Sequence, residues 1–148
     1  MPLFIAALLT LLVDQASKAL VSSWLPEGQS LPVVPHFFHL TYIRNPGAAF
    51  GLFAHQTTFF ILATLAVIVL VLVLAGRIPD RRRLLKSGMG LILGGALGNL
   101  IDRLRTGLVV DFLDFKFWPV FNLADCAIVI GACLLIWEVW RSGREPAR

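Results

Sequence analysis

The sequence predicts an all-α membrane protein: four transmembrane helices, with short strands in the first loop between them. Three observations carry this. The 148 residues are 57% hydrophobic and only 15% charged, with a mean hydropathy of +0.80, whereas a soluble domain carries about 25% charge. Apolar runs recur at lengths that suit the ~30 Å hydrocarbon core of a bilayer. Basic residues gather at the ends of those runs, as the positive-inside bias requires. Five of the 13 lysines and arginines are Arg77, Arg81, Arg82, Arg83 and Lys86, and Arg141, Arg144 and Arg148 form a second group. One membrane-embedded domain, residues 1–148, is the expectation at this length.

The first span runs over about residues 3–24. It lacks a basic segment before the apolar run, Asp14 and Lys18 interrupt it, and no small-residue cleavage site follows. It therefore reads as a retained helix rather than a secretory signal. Pro26, Pro32 and Pro35 then punctuate a stretch rich in Val, Phe, Tyr and Ile, which predicts short strands up to a turn at Asn45-Pro46-Gly47. The second span, residues 59–75, has Thr64 as its one polar interruption and ends at Gly76 and Pro79. The third covers about residues 84–101 and the fourth about 120–140, where Trp137 and Trp140 suit an interfacial belt. Glu138 is spaced to pair with Arg141. With the basic cluster 77–86 inside, both termini are cytoplasmic, and residues 25–58 and 102–119 lie on the outer side.

Several chemistries are excluded or left weak. The net charge of +4 comes from the boundary clusters, not from a basic stripe interleaved with aromatics, so no nucleic-acid partner is expected. Cys126 and Cys133 share one helix face too far apart to bond, with no further ligands nearby, and read as buried packing residues. His36 and His39 follow Pro35 in an extended loop and lack the helical spacing and glutamate of a zinc protease. No Gly-x-Ser-x-Gly or phosphate-binding glycine loop is present. Gly90, Gly94 and Gly98, at four-residue spacing, predict close approach of another helix, with a smooth wall for an acyl chain or extended peptide as a further use.

The carboxylates hold the remaining chemistry. Asp14 and Lys18 stand at i, i+4 and predict an internal ion pair in the outer half of the first span. Asp102-Arg103 is a charged pair at the end of the third helix, and Asp114 reads as a solvated charge. Asp111 and Asp125 each follow an apolar run and lie 14 residues apart, enough for a turn to bring them together. Ionisable groups beside a span mark a functional site by default. Two close carboxylates share a proton, so one can take a proton from water while the other donates to a carbonyl oxygen. By position alone a structural role stays open.

At these residues the chain resembles the lipoprotein signal peptidase (signal peptidase II) family, bacterial membrane aspartyl proteases. The blocks are Asp14-Gln15-Ala16-Ser17-Lys18; Asn45-Pro46-Gly47-Ala48-Ala49-Phe50-Gly51; Gly95-Ala96-Leu97-Gly98-Asn99-Leu100-Ile101-Asp102-Arg103 with Val109-Val110-Asp111-Phe112; and Phe121-Asn122-Leu123-Ala124-Asp125. The resemblance implies four transmembrane helices with a small β-rich cradle on the outer, periplasmic side of the bacterial inner membrane. It implies release of the signal peptide from diacylglyceryl-modified prolipoproteins by a cut just before the lipidated cysteine. Asp111 and Asp125 match the catalytic pair. Asn45, Asn99, Asp102, Arg103 and Asn122 match polar positions that line or brace the site, and Asp14 and Lys18 match the first-helix motif. No metal or other cofactor is implied, membrane lipid is the surrounding partner, and a monomer is expected. A small proton-coupled transporter using the same aspartates is the alternative, weakened by the lack of an internal repeat; a non-catalytic scaffold is third.

Overall fold

The computed structural model describes residues 1–47 and 56–142. Four helices are long and apolar enough to cross a membrane: α1 (Pro2–Trp24), α2 (Thr57–Arg77), α3 (Arg83–Thr106) and α4 (Leu123–Ser142). Between them lie β1 (Ser30–Val34), β2 (Phe38–Asn45) and β3 (Val109–Asp114), an antiparallel sheet in the order β1-β2-β3. The four-helix and strand-loop expectations hold. Ala48–Gly51 of the second motif block, and Arg144 and Arg148 of the second basic group, lie outside the described residues.

Helix α3 is the central element. Its buried side includes Gly88, Gly90, Gly94, Gly95 and Gly98, whereas α2 fully buries only Val71, packs Ile68 and Ala75 partly against the core and leaves most of its other apolar side chains exposed. The glycine stripe works as packing. A Cβ at Gly94 would stand 2.5 Å from the Ala7 carbonyl oxygen of α1, and one at Gly98 would collide with the Asp14 carboxylate. On the opposite side Gly95 faces the Ala124 carbonyl of α4. Small residues thus let α1 and α4 close on α3 from both sides.

Two apolar clusters follow. Leu3, Ala7, Val71, Met89, Ile92 and Leu93 pack at one end of the bundle. Val21, Leu25, Tyr42 and Phe112 join the end of α1 to the sheet at the other. The arginine-rich α2–α3 connection lies at the end away from the sheet.

Two expected boundaries change. The third helix continues past residue 101 to Thr106, so Asp102 and Arg103 lie within α3 rather than at its end. The helix stops where Gly107 takes φ of +78° and its N–H bonds the Arg103 carbonyl. Residues 109–114, for which no strand was expected between the third and fourth spans, form β3, whose ladder runs from His39↔Asp114 to Asn45↔Val109. Between Leu40↔Leu113 and Ile43↔Asp111 the register shifts by a bulge, which re-aims Asp111.

Candidate active site

The ends of α1, α3 and α4 meet beneath β2 and β3, and their polar side chains form one connected network. Lys18 is its hub. Its Nζ lies 2.9 Å from Asp14 Oδ2 and 2.8 Å from Asp102 Oδ2, and donates to Asn99 Oδ1 at 2.9 Å. An ammonium has three protons, and each has an acceptor. The expected Asp14–Lys18 pair is present, and Asp102 completes it. Asp14, fully buried, also accepts the Ala124 N–H of α4 at 3.0 Å. Gln15 donates to Asp102 Oδ1 at 3.0 Å and contacts the Gly98 carbonyl at 3.3 Å. Sequence reasoning assigned Gln15 no role; its signal was a polar residue three positions before Lys18, on the same helix face.

Asn122 links this hub to the two aspartates. It caps α4 reciprocally with Asp125: the Asp125 N–H donates to Asn122 Oδ1 at 3.0 Å, and the Asn122 N–H donates to Asp125 Oδ2 at 3.2 Å. Its amide nitrogen donates to Asp111 Oδ1 at 2.7 Å and also approaches Asn99 Oδ1 at 3.1 Å. Asn99 Oδ1 therefore has both lone pairs filled, by Lys18 and Asn122, which turns its amide nitrogen to Asp125 Oδ1 at 2.9 Å. From β2, Asn45 Nδ2 donates to Asp111 Oδ2 at 2.8 Å, while its oxygen accepts the Gly47 N–H at 2.9 Å in the expected turn. Burial pushes the Asp111 carboxyl up to about 7; the Asn45 bond opposes this and the charge of Asp125 adds to it.

Asp111 and Asp125 both face a cavity of about 270 Å³, together with Asn45, Asn99 and Arg103. The Arg103 guanidinium lies over the Phe60 ring of α2, 4.8 Å from its centroid, which holds the fork beside the carboxylates. Adjoining Asp125 is a wider, almost wholly apolar groove of about 550 Å³, walled by Phe115, Phe117, Trp118, Phe121, Val129 and Ile130. All nine residues singled out from the sequence thus join one network or line its cavity.

Three readings outside the network are corrected or refined. Asp114 is buried rather than solvated: it accepts from Thr41 Oγ1 at 2.6 Å and from Lys116 Nζ at 2.6 Å. Burial pushes this carboxyl up, but Lys116 and Thr41 outweigh it and hold it below the ordinary carboxylate range. Cys133 is exposed and Cys126 half-buried, because this face of α4 looks outward instead of into the bundle. His39 bonds Ser30 across the first two strands at 3.1 Å, a sheet contact. Among the described residues no group of His, Cys, Asp and Glu is arranged to hold a metal ion.

Solved structures described as bacterial membrane enzymes share this architecture. A solved structure described in those words, determined by the in meso method at 2.3 Å resolution, superposes with a TM-score of 0.88 at 32% identity over 99% of this chain and 93% of its own. A second, at 1.9 Å resolution, gives 0.81 at 34% identity over 93% and 91%. Residues 6–141 match the family model of signal peptidase (SPase) II, and the chain belongs to that family. The lipoprotein signal peptidase of Pelotomaculum thermopropionicum is 59% identical, covering 99% of this chain and 96% of the relative. That of Moorella thermoacetica is 51% identical, covering 99% and 100%.

Proposed function

We propose that this chain is an intramembrane aspartyl endopeptidase that removes the signal peptide from diacylglyceryl-modified prolipoproteins, cutting just before the lipidated cysteine. The observation that carries the reading is Asn122. A single side chain caps the helix bearing Asp125 and donates to Asp111, so both carboxylates are held on one cavity. Family membership and the names of the relatives support prolipoprotein as the substrate.

The chemistry follows from the surroundings of the two acids. Asp125 accepts a backbone N–H and the Asn99 amide in the first turn of α4, and we assign it the role of base. Asp111, raised to about 7, is the partner that carries the proton. Asp125 takes a proton from water as the water oxygen attacks the scissile carbonyl carbon, and Asp111 gives its proton to the carbonyl oxygen. The tetrahedral species collapses when the proton on Asp125 passes to the leaving nitrogen, the C–N bond breaks, and a hydroxyl proton returns to Asp111. Arg103 and Asn45 hold and orient the peptide and the acids; neither exchanges a proton. The apolar groove beside Asp125 gives acyl chains a wall, and each buried CH₂ contributes about 0.8 kcal/mol to holding the substrate.

The basic α2–α3 connection supports an orientation with the sheet end outside and both termini in the cytoplasm. The test is cleavage of a purified prolipoprotein, with and without its diacylglyceryl group, by the protein in bilayers, with the products weighed by mass spectrometry. The expected products are the free signal peptide and a chain beginning at the lipidated cysteine. Equal rates on the two substrates, or a cut elsewhere, would overturn the reading. A transporter releases no peptide.

A further inference from the structure

At the end of the bundle away from the sheet, a second cavity of about 430 Å³ lies between the start of α3 and the end of α4. Arg81, Arg82, Arg83 and Arg141 line it, with Leu84, Ser142 and one carboxylate, Glu138. Arg81, Arg82 and Arg83 sit at the start of α3, where the backbone is already positive, whereas Arg141 lies in the last turn of α4. Arg82 is the N-cap of α3, no side chain caps that end, and the first turn holds no acidic residue. Cations at a helix N-terminus are unfavourable, and the unpaired N–H groups there call for an anion.

Among the described residues, the nearby acids do not supply one. Asp80 is taken by Lys86. Glu138, 6% exposed, is held by Arg141 at 3.2 Å, and its Oε2 makes no hydrogen bond among the described residues. Arg82 reaches Ser142 Oγ at 3.4 Å, which ties the α2–α3 connection to α4 and closes one side. Placing bilayer-boundary arginines satisfies the positive-inside bias, but that bias does not require a walled cavity with guanidinium groups on both helices.

We propose that this cavity binds the phosphodiester headgroup of an anionic phospholipid. The ligand chemistry is a phosphate group, for which arginine forks are suited. A lipid is favoured over free phosphate because the exposed Leu84 lines the cavity, and the exposed Trp137, Val139 and Trp140 flank its Glu138 and Arg141 along α4. Basic pockets between membrane helices are recognised headgroup sites. The proposal concerns the end of the molecule opposite the aspartates and stands whether or not the chemistry assigned to them is right.

The test is native mass spectrometry of the purified protein in a neutral detergent. It is loaded separately with dioleoylphosphatidylglycerol, dioleoylphosphatidylcholine and sodium phosphate, and the thermal midpoint is read alongside. Phosphatidylglycerol should be retained and should raise the midpoint, whereas phosphatidylcholine and sodium phosphate should do neither. The doubly substituted Arg81→Gln/Arg82→Gln protein alters two exposed side chains. It should retain phosphatidylglycerol about tenfold less or weaker still, the effect of two charges near a lipid surface. Arg77→Gln, outside the cavity, should bind as the parent does. Equal retention of the two lipids, unchanged binding by the double variant, or an equal response to sodium phosphate would each overturn the proposal.

Discussion

At Asp111, burial raises the carboxyl to about 7 while the Asn45 amide pulls it back. Removing that donor in Asn45→Ala withdraws an interaction with the ionised form, so the proton is held more tightly. The alkaline limb of cleavage, expected near 7 in the parent because Asp111 must be protonated, should move to higher pH in the variant. A pH–rate profile on a lipidated substrate checks this. Stability has its own sign. The folded value of about 7 lies above the ordinary 3.8, so this group's contribution is complete below 3.8 and is lost as pH rises toward 7. Asp111→Asn removes that loss, and its thermal midpoint should fall less than the parent's between pH 5 and pH 8. Arg103→Ala should insert normally and cleave about a hundredfold more slowly, the scale of a misplaced substrate, with Arg103→Lys restoring part because it keeps charge without the fork. Asp111 and Asp125 were legible as charges beside apolar runs, whereas Asn45, Asn99 and Asn122 were legible only through the resemblance. Asp114 was not legible: Lys116 lies only two residues on, but the burial and the Thr41 bond come from strand pairing that the residues around it do not announce.

The helices were legible because lipid demands long apolar runs, and α3's glycine spacing announced its contacts with α1. Two things were not. The charged run Asp102-Arg103 read as the exit from the third helix, yet Lys18 of α1 neutralises Asp102 within it. A partner 84 residues away in the chain leaves no local trace. Strand β3 was hidden because its alternation is broken by two aspartates with inward roles, Asp111 and Asp114. The same cross-element pairing predicts a stability effect. Lys18→Met leaves the buried Asp14 and Asp102 without their cation, and breaking such a pair costs about 3–5 kcal/mol. The variant should unfold at lower temperature in detergent, and unaltered stability would show that the carboxylates find another counter-charge.

For the whole molecule, the arrangement sets the sheet and the aspartates at one end and the arginine cluster 77–83 at the other. Orientation is therefore one decision with two readouts. After replacement of Cys126 and Cys133, a cysteine introduced by Gln29→Cys should react with an impermeant thiol reagent only from outside. One introduced by Arg82→Cys should react only from the cytoplasmic side. Labelling of both from one side would contradict the four-span arrangement.

The central claim is that Asp111 and Asp125 act as one unit on one water. Its most direct measurement is the initial cleavage rate of a diacylglyceryl prolipoprotein by the parent, Asp111→Asn, Asp125→Asn and the double variant in bilayers. Asparagine keeps size and hydrogen bonding but can neither accept nor donate the proton. Each single change should lower turnover by several orders of magnitude, and the double variant should be scarcely slower than either, because groups acting as a unit are non-additive. Near-normal cleavage by either single variant, or losses that multiply in the double variant, would contradict the account.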